Sequence, residues 1–115
     1  MQYLLKTDGI EFEVAKRPVP KVDQNNVQKI DPVTKFPVWS VQLATWTDED
    51  TGSDVLVVSV PSAALPDLRW RQPVEVVDLE MIPWHRKNRS GEATGGVAFK
   101  AAEIRPVSAH LSAAA

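Results

Sequence analysis

The chain has 115 residues, enough for one domain with a single hydrophobic core, and 43% of them are apolar. Its net charge of −2 and isoelectric point of about 5.6 do not favour nucleic acid, so polyanion binding requires local clusters of basic residues. The absence of cysteine excludes disulfides, thiolate metal sites and cysteine nucleophiles. No apolar run approaches the roughly 20 residues that span a bilayer, and the first residues turn polar too soon for a signal peptide, which predicts a cytoplasmic protein without membrane contact.

Short apolar segments, bounded by proline, glycine and polar turns, follow one another along the chain and predict an all-β protein. The predicted strands are residues 10–16, 37–47, 54–60, 74–82 and 97–104. Residues 17–35 hold prolines, asparagines and scattered charges, which predicts a long loop with at most a short strand at residues 27–30.

The second predicted strand shows the clearest alternation. Trp39, Val41 and Leu43 share one face, which predicts that they belong to the core. The opposite face, with Gln42 and Trp46, is half polar and can meet solvent or a ligand.

Residues 62–70 separate the third and fourth predicted strands. Ser62 can cap a helix there and Pro66 limits it to one or two turns, which predicts a short helical connector. The apolar phase slips between Val74 and Leu79, which predicts a bulge or a strong bend. Three strands, a short helix and two strands are the order of a five-stranded Greek-key barrel of the oligonucleotide-binding (OB) type, with another small antiparallel barrel or sandwich as the alternative. We expect one such domain over residues 1–107 and a flexible tail over residues 108–115.

The turn between the last two predicted strands is the strongest candidate site. Between Trp84 and Lys100 the chain carries four basic side chains against the single acid Glu92. In an OB barrel this turn is one of two loops that hold nucleic acid, where basic side chains neutralise phosphates and an indole ring stacks on a base. A hairpin tip that is merely solvated by charge is the alternative explanation.

Tryptophans supply further candidates, since the chain has four. Trp70 lies between two arginines, a pattern that suits a cation–π pair or a stacking platform. Trp46, Trp70 and Trp84 are predicted to contact a ligand, with packing in the core or an interface as the alternative. The predicted nucleic-acid-binding residues are Lys35, Trp46, Arg69, Trp70, Arg71, Trp84, Arg86, Lys87, Arg89 and Lys100.

Metal binding and catalysis find little support in the sequence. Residues 48–54 place acids at alternate positions beside a glycine, like half a calcium loop, but the terminal bidentate glutamate is missing and an acidic hairpin turn explains the pattern better. His85 and His110 have no evident partner, and no nucleophile, phosphate-loop or zinc motif appears. We expect neither an enzyme nor a cofactor.

An Asp-x-x-Thr-x-x-Pro-x-Trp-x-Val pattern runs from Asp31 to Val41 and leads into a strand. It resembles the replication, integration and excision activators of actinobacterial plasmids and integrative elements. The β-rich residues 55–60 and the Leu-x-x-x-Pro-aromatic pattern from Leu79 add to this resemblance, which covers residues 28–104 and implies a role in DNA maintenance without catalytic residues. A turn that feeds a strand would also explain the first pattern.

The second half of the chain also looks like bacterial single-stranded DNA-binding proteins. The resemblance rests on residues 72–76, the basic turn, and a Phe-x-Ala-x-Glu-Ile pattern that begins at Phe99. Those proteins usually carry a glycine near the position of Gln72 or Pro73, which this chain lacks.

These patterns lead to a hypothesis: the chain binds single-stranded DNA with little sequence preference and serves the replication or transfer of a plasmid or integrative element. The alternative, which the low isoelectric point favours, is a protein-interaction or regulatory module, such as a homodimeric activator of plasmid genes. A third possibility is a transcriptional activator that binds duplex DNA.

Overall fold

The computed structural model describes residues 2–47, 54–87 and 89–107. No helix among these residues is long and apolar enough to cross a membrane, because they form strands, turns and loops alone. The strands are β1 (Tyr3–Leu4), β2 (Ile10–Pro20), β3 (Val38–Thr47), β4 (Asp54–Pro61), β5 (Pro73–Val77), β6 (Glu80–Lys87), β7 (Ala93–Lys100) and β8 (Glu103–Pro106). They form one sheet in the order β1-β6-β7-β4-β3-β2-β5-β8, which curls into a half-barrel. The prediction of an all-β protein is confirmed.

The strand pairing brings distant parts of the chain together. β2, β3 and β4 form an antiparallel meander, and β5 pairs antiparallel with both β2 and β8. The end of β7 pairs in parallel with β4, through Val58↔Phe99 and Ser59↔Lys100. Only Ala101 and Ala102 separate β7 from β8, and their amides donate to carbonyls of β4 and β5. This short connection therefore links the β4 side of the curled sheet to the β5 side.

The core lies on the inner face of the curled sheet. Its buried apolar residues are Phe12, Val14, Val41, Leu43, Val58, Val60, Leu68, Val74, Leu79, Ala101 and Ile104. Trp39 packs against this cluster, and its indole N–H donates to the Ser62 carbonyl oxygen at 3.0 Å. The predicted inner face of β3 is therefore confirmed. Because side chains alternate along a strand, the residues between the core positions lie on the opposite, outer face.

The described residues form eight strands, so the predicted number of five is wrong. β1 is only two residues long, which is too short for an alternation of apolar and polar residues to be recognised in the sequence. The predicted strand at residues 74–82 divides into β5 and β6 at Asp78, whose φ of 52° is left-handed and breaks the extended backbone. The predicted strand at residues 97–104 divides at Ala101 and Ala102, and its first half begins earlier, at Ala93. The bend expected from the apolar phase slip therefore lies at Asp78.

The prediction of a helical connector is also wrong, because residues 62–72 form no helix. The Ser62 hydroxyl donates to the Ala64 carbonyl oxygen at 2.7 Å and does not cap a helix. Pro66 offers no amide hydrogen, and the amide of Leu68 donates to the Pro66 carbonyl oxygen in a tight local turn. Burial of the Leu68 side chain in the core then fixes the connector in its irregular path.

The first long strand extends further than predicted. β2 continues through Pro18 and Pro20, which we expected in a loop, and register shifts against β3 accommodate these prolines. The remaining loop, residues 21–37, contains no strand at residues 27–30. Two isolated bridges hold it together, Val22↔Gln28 and Ile30↔Pro37.

Candidate nucleic-acid interface

A hairpin of β6 and β7 projects from the sheet. Its ladder runs from Glu80↔Lys100 to Lys87↔Ala93, but only the last two residues of β7 pair with β4. We call residues 82–87 and 89–98 the arm. Most of its side chains are exposed, which leaves them available to a ligand.

Trp84 is the central aromatic residue of the arm. It pairs with Gly96, where an added Cβ would lie 3.1 Å from the Trp84 Cζ2 atom, so the glycine lets the ring approach the β7 backbone closely. The guanidinium carbon of Arg86 lies 5.6 Å from the ring centroid, a cation–π distance. The side chain nevertheless remains 43% exposed. The arm thus holds an indole ring in a defined position and leaves much of it free to stack.

Basic side chains accompany this ring along the arm, at Arg86, Lys87 and Arg89, all exposed. The ion pairs among the described residues join Arg71 to Glu13, Lys100 to Asp31, and Arg105 to Glu75 and Glu103. None of them neutralises the three cations of the arm. Within residues 2–47, 54–87 and 89–107, the charges of these three side chains are therefore not compensated by an ion pair.

Lys100, at the base of the arm, has a different environment. Its Nζ donates to Asp31 Oδ1 at 3.0 Å, and the Asp31 side chain is only 4% exposed. Asp31 Oδ2 accepts from the amide of Thr34 at 2.8 Å, from its hydroxyl at 2.9 Å, and from the amide of Val33 at 3.2 Å. The hydrogen bond from the Thr34 amide, followed by that from Lys100, lowers the pKa of Asp31 to about 2. Lys100 is therefore neutralised by a carboxylate and ties the 21–37 loop to the arm.

Trp70 and its flanking arginines lie in the connector. Trp70 is 63% exposed, and the Arg71 guanidinium carbon lies 5.5 Å from its ring centroid. Arg71 also contacts Glu13, with Nε 3.4 Å from Oε1, while the side chain of Arg69 is exposed. Trp70 borders a shallow hollow on β2 and β3, which is lined also by Ala15, Lys16, Arg17, Val19, Ser40 and Gln42. This second aromatic and basic group is thus carried by a separate part of the chain from the arm.

The remaining predicted residues, Trp46 in β3 and Lys35 in the 21–37 loop, belong to neither of these two groups. The Trp46 indole N–H donates to Glu11 Oε2 at 2.7 Å, and the hollow beside it is lined also by Glu13 and Glu75. These carboxylates would repel a phosphate. Lys35 is exposed in the turn after Asp31, with a φ of 65°.

The outer face joins the arm to the strands beside it. Trp84 is the register partner of Gly96, so both lie on the same face of the sheet. Lys100 lies four residues after Gly96 in β7 and shares this face, because side chains alternate along a strand. Lys100 is in turn the register partner of Ser59 in β4. Ser59 in turn pairs with Ser40 in β3. Trp84 therefore lies on the same face of the sheet as the outer residues of β3 and β4, including Gln42 and Val57.

Two lysines that the sequence left in a loop lie near this face. Lys21 Nζ donates to Ser59 Oγ at 2.6 Å, 38 residues away in the chain. Burial, and then the charge of Lys29, lower the pKa of Lys21. The sequence gave no signal for this contact, because it depends on the register of three strands.

The remaining candidates from the sequence are a metal site and the histidines. No group of three histidine, aspartate or glutamate side chains among residues 2–47, 54–87 and 89–107 could hold a metal ion. Residues 48–53 of the calcium-like sequence, and the tail with His110, lie outside the described residues.

No family model matches the chain, and no curated protein sequence matches it.

Proposed function

We propose that this protein binds single-stranded DNA with little sequence preference, through the outer face of β3 and β4, the arm and the 21–37 loop. One observation carries the proposal: the Trp84 ring lies close to the Gly96 backbone, Arg86 lies at cation–π distance from it, and the residue remains 43% exposed. Rings held in this way stack on any base, and neighbouring cations contact the phosphates on either side.

We further propose that the half-barrel is an OB-like Greek key. The pairing supports this if β5 with β6, and β7 with β8, are each counted as one bent strand. The meander of β2, β3 and β4 then supplies the first three strands, β7 pairs in parallel with the third, and β5 pairs with the first and the last. OB barrels bind oligonucleotides on the face of their second and third strands and on the loops that follow the first and fourth. The corresponding parts here are the outer face of β3 and β4, the 21–37 loop and the arm.

The exposed ring and the basic side chains predict how the affinity for DNA depends on base identity and on salt. Stacking on an aromatic ring contributes about 1–3 kcal/mol per base and tolerates every base. Each phosphate that a lysine or arginine neutralises releases counterions, so affinity should fall steeply as salt is added. The net charge of −2 makes this dependence informative, since local basic clusters must supply all of the electrostatic attraction.

The cellular role we propose is in the replication or transfer of a plasmid or integrative element, within the cytoplasm. It rests on the resemblance of residues 31–41 and 79–84 to the plasmid activator family. Single-stranded DNA is an intermediate in both processes, which makes the role compatible with the proposed binding.

A thymine oligomer titration at low salt tests the proposal, with anisotropy and tryptophan fluorescence as readouts. Replacement of Trp84 by alanine should weaken binding about 10–100-fold, in line with the loss of one stacked base. Arg86→Gln should weaken it less and reduce the salt dependence. The matched control is Arg105→Gln, because Arg105 contacts Glu75 and Glu103 on an acidic part of the surface. Unchanged anisotropy and fluorescence in the wild-type titration would refute the proposal.

A competition with duplex DNA of the same length separates two kinds of DNA binding. A protein that uses the exposed ring of Trp84 for stacking should prefer the single strand, because bases in a duplex are already stacked. Preference for the duplex would favour a transcriptional activator instead.

A second candidate function is self-association as a homodimeric regulatory module. Val55 and Val57, on the outer face of β4, are 59% and 50% exposed and place two apolar side chains next to each other on one face, where a second copy of the chain could cover them. Sedimentation measurements over a range of concentrations test this candidate. A monomer at every concentration would exclude it, whereas a dimer that ignores the oligonucleotide would support it over DNA binding.

A further inference from the structure

Lys21 reaches across the outer face of the sheet. Its amide donates to the Val38 carbonyl oxygen at 3.0 Å, which places it beside the start of β3, and its Nζ donates to Ser59 Oγ in β4. An ammonium group has three N–H donors, and this contact uses one of them. The ion pairs among the described residues include none with Lys21. Lys21 is therefore a positioned cation with unused donors.

A second lysine lies beside it. The Lys29 amide donates to the Lys21 carbonyl oxygen at 2.8 Å, directly outside the segment of the loop that the Val22↔Gln28 bridge closes. The positive charge of Lys29 and partial burial both lower the pKa of Lys21. Two like charges close together are unfavourable when one of them, here Lys21, is partly buried, and an anion between them would lower this cost.

The buried carboxylate of the same loop does not supply that anion. Asp31 Oδ1 accepts from Lys100, and Asp31 Oδ2 accepts from Val33 and Thr34. Asp31 thereby neutralises Lys100 and leaves the charges of the other two lysines uncompensated.

We propose that Lys21, Lys29 and the hydroxyl of Ser59 form a phosphate-binding subsite on the outer face of β3 and β4. Lys21 and Lys29 donate to the phosphate oxygens, and Ser59, which accepts from Lys21, turns its own O–H toward them. Gly96, under the ring of Trp84, lies four residues along β7 from Lys100, the partner of Ser59, or about 13 Å. A strand stacked on Trp84 can therefore lay a second phosphate here.

If the phosphate belongs to nucleic acid, the subsite is part of the DNA-binding surface and rests on the proposed function. If the subsite binds free phosphate, it does not depend on that function. Two ligands separate these cases: the thymine oligomer and inorganic phosphate. Each is titrated into the wild-type protein, Lys21→Met, Lys29→Met and the control Arg105→Gln. Oligomer binding is followed by anisotropy at several salt concentrations, and phosphate binding by the backbone amide shifts of residues 21, 29 and 59. Thermal unfolding establishes that each variant is folded.

We expect Lys21→Met to weaken oligomer binding roughly tenfold at low salt and to lower the slope of log affinity against log salt by about 0.7, the value of one phosphate contact on a single strand. Lys29→Met should act in the same direction, and Arg105→Gln should leave both quantities unchanged. Ser59→Ala, which keeps both charges and removes the positioning hydroxyl, should weaken binding a few-fold.

The outcomes separate the subsite from the proposed function. If the wild-type protein binds the oligomer and Lys21→Met binds it equally well with the same salt slope, the subsite is wrong and the proposed function stands. If the wild-type protein ignores the oligomer, the proposed function fails and the phosphate titration decides. Shifts at residues 21, 29 and 59 that vanish in Lys21→Met then support a site for free phosphate, and their absence overturns the subsite.

Discussion

Lys100 and Asp31 lie 69 residues apart in the chain and join two walls of the proposed site, with Nζ 3.0 Å from Oδ1. Lys100 ends β7 at the base of the arm, and Asp31 begins a turn of the 21–37 loop. The loop itself has little regular structure, since isolated bridges hold it together. This ion pair, with its buried carboxylate, therefore contributes directly to how the loop is placed against the arm.

Replacement of Asp31 by asparagine should lower the free energy of unfolding by about 2–3 kcal/mol, because Lys100 loses its charged partner and the amides of Val33 and Thr34 lose a charged acceptor. Urea denaturation measures the change. The matched control is Asp23→Asn in the same loop, since Asp23 accepts two backbone hydrogen bonds at an exposed position and its loss should cost under about 0.5 kcal/mol. Equal losses in the two variants would contradict a special role for the buried carboxylate of Asp31.

The same carboxylate predicts a pH dependence. The pKa of Asp31 is about 2 in the folded protein and 3.8 without its partners, so the folded state favours the ionised form. Its contribution is fully present above about pH 4 and is lost as the pH falls toward 2, a change of about 2 kcal/mol. Urea denaturation at pH 5, 4, 3 and 2 should show this loss in the wild-type protein and a smaller one in Asp31→Asn. A parallel decline in both proteins would mean that other carboxylates are responsible.

The sequence predicted the fold best where a strand is long and regular. The alternation of Trp39, Val41 and Leu43 identified the inner face of β3, because nothing interrupts that strand. The two divided strands were missed for a physical reason. Asp78 takes a left-handed conformation, and Ala101 interrupts the last strand, but neither is flanked by the glycine or proline that usually marks a turn.

Parts of the candidate site also differ in how far the sequence alone predicts them. Trp84 and Arg86 are two residues apart in one strand, so their shared face follows from alternation alone. The contact between Lys21 and Ser59 follows only from the register of β2, β3 and β4. A pattern along the chain cannot provide that register, because β2 continues through prolines that normally end a strand.

The bend at Asp78 gives a test of the divided strand. Its φ of 52° is tolerated by aspartate, favoured by glycine and strongly disfavoured by β-branched residues. Asp78→Gly should leave the free energy of unfolding within about 0.5 kcal/mol of wild type, because relief of strain offsets the greater freedom of the unfolded chain. Asp78→Val should cost about 1–2 kcal/mol. Asp54→Val, at an exposed position in β4, should be nearly neutral, and a similar cost at both positions would argue against the left-handed corner.

The two glycines of the arm should respond differently to alanine. A Cβ at Gly96 would lie 3.1 Å from Cζ2 of Trp84, and this exposed ring can move by a few tenths of an ångström. Gly96→Ala should therefore keep the arm intact, change the near-ultraviolet circular dichroism of Trp84 and weaken thymine oligomer binding. A Cβ at Gly95 would lie 2.9 Å from the backbone oxygen of Trp84, which cannot turn aside as a ring can. Gly95→Ala should therefore distort the ladder and speed amide hydrogen exchange in β7, whereas equal exchange rates in both variants would show that the backbones approach less closely than the structure indicates.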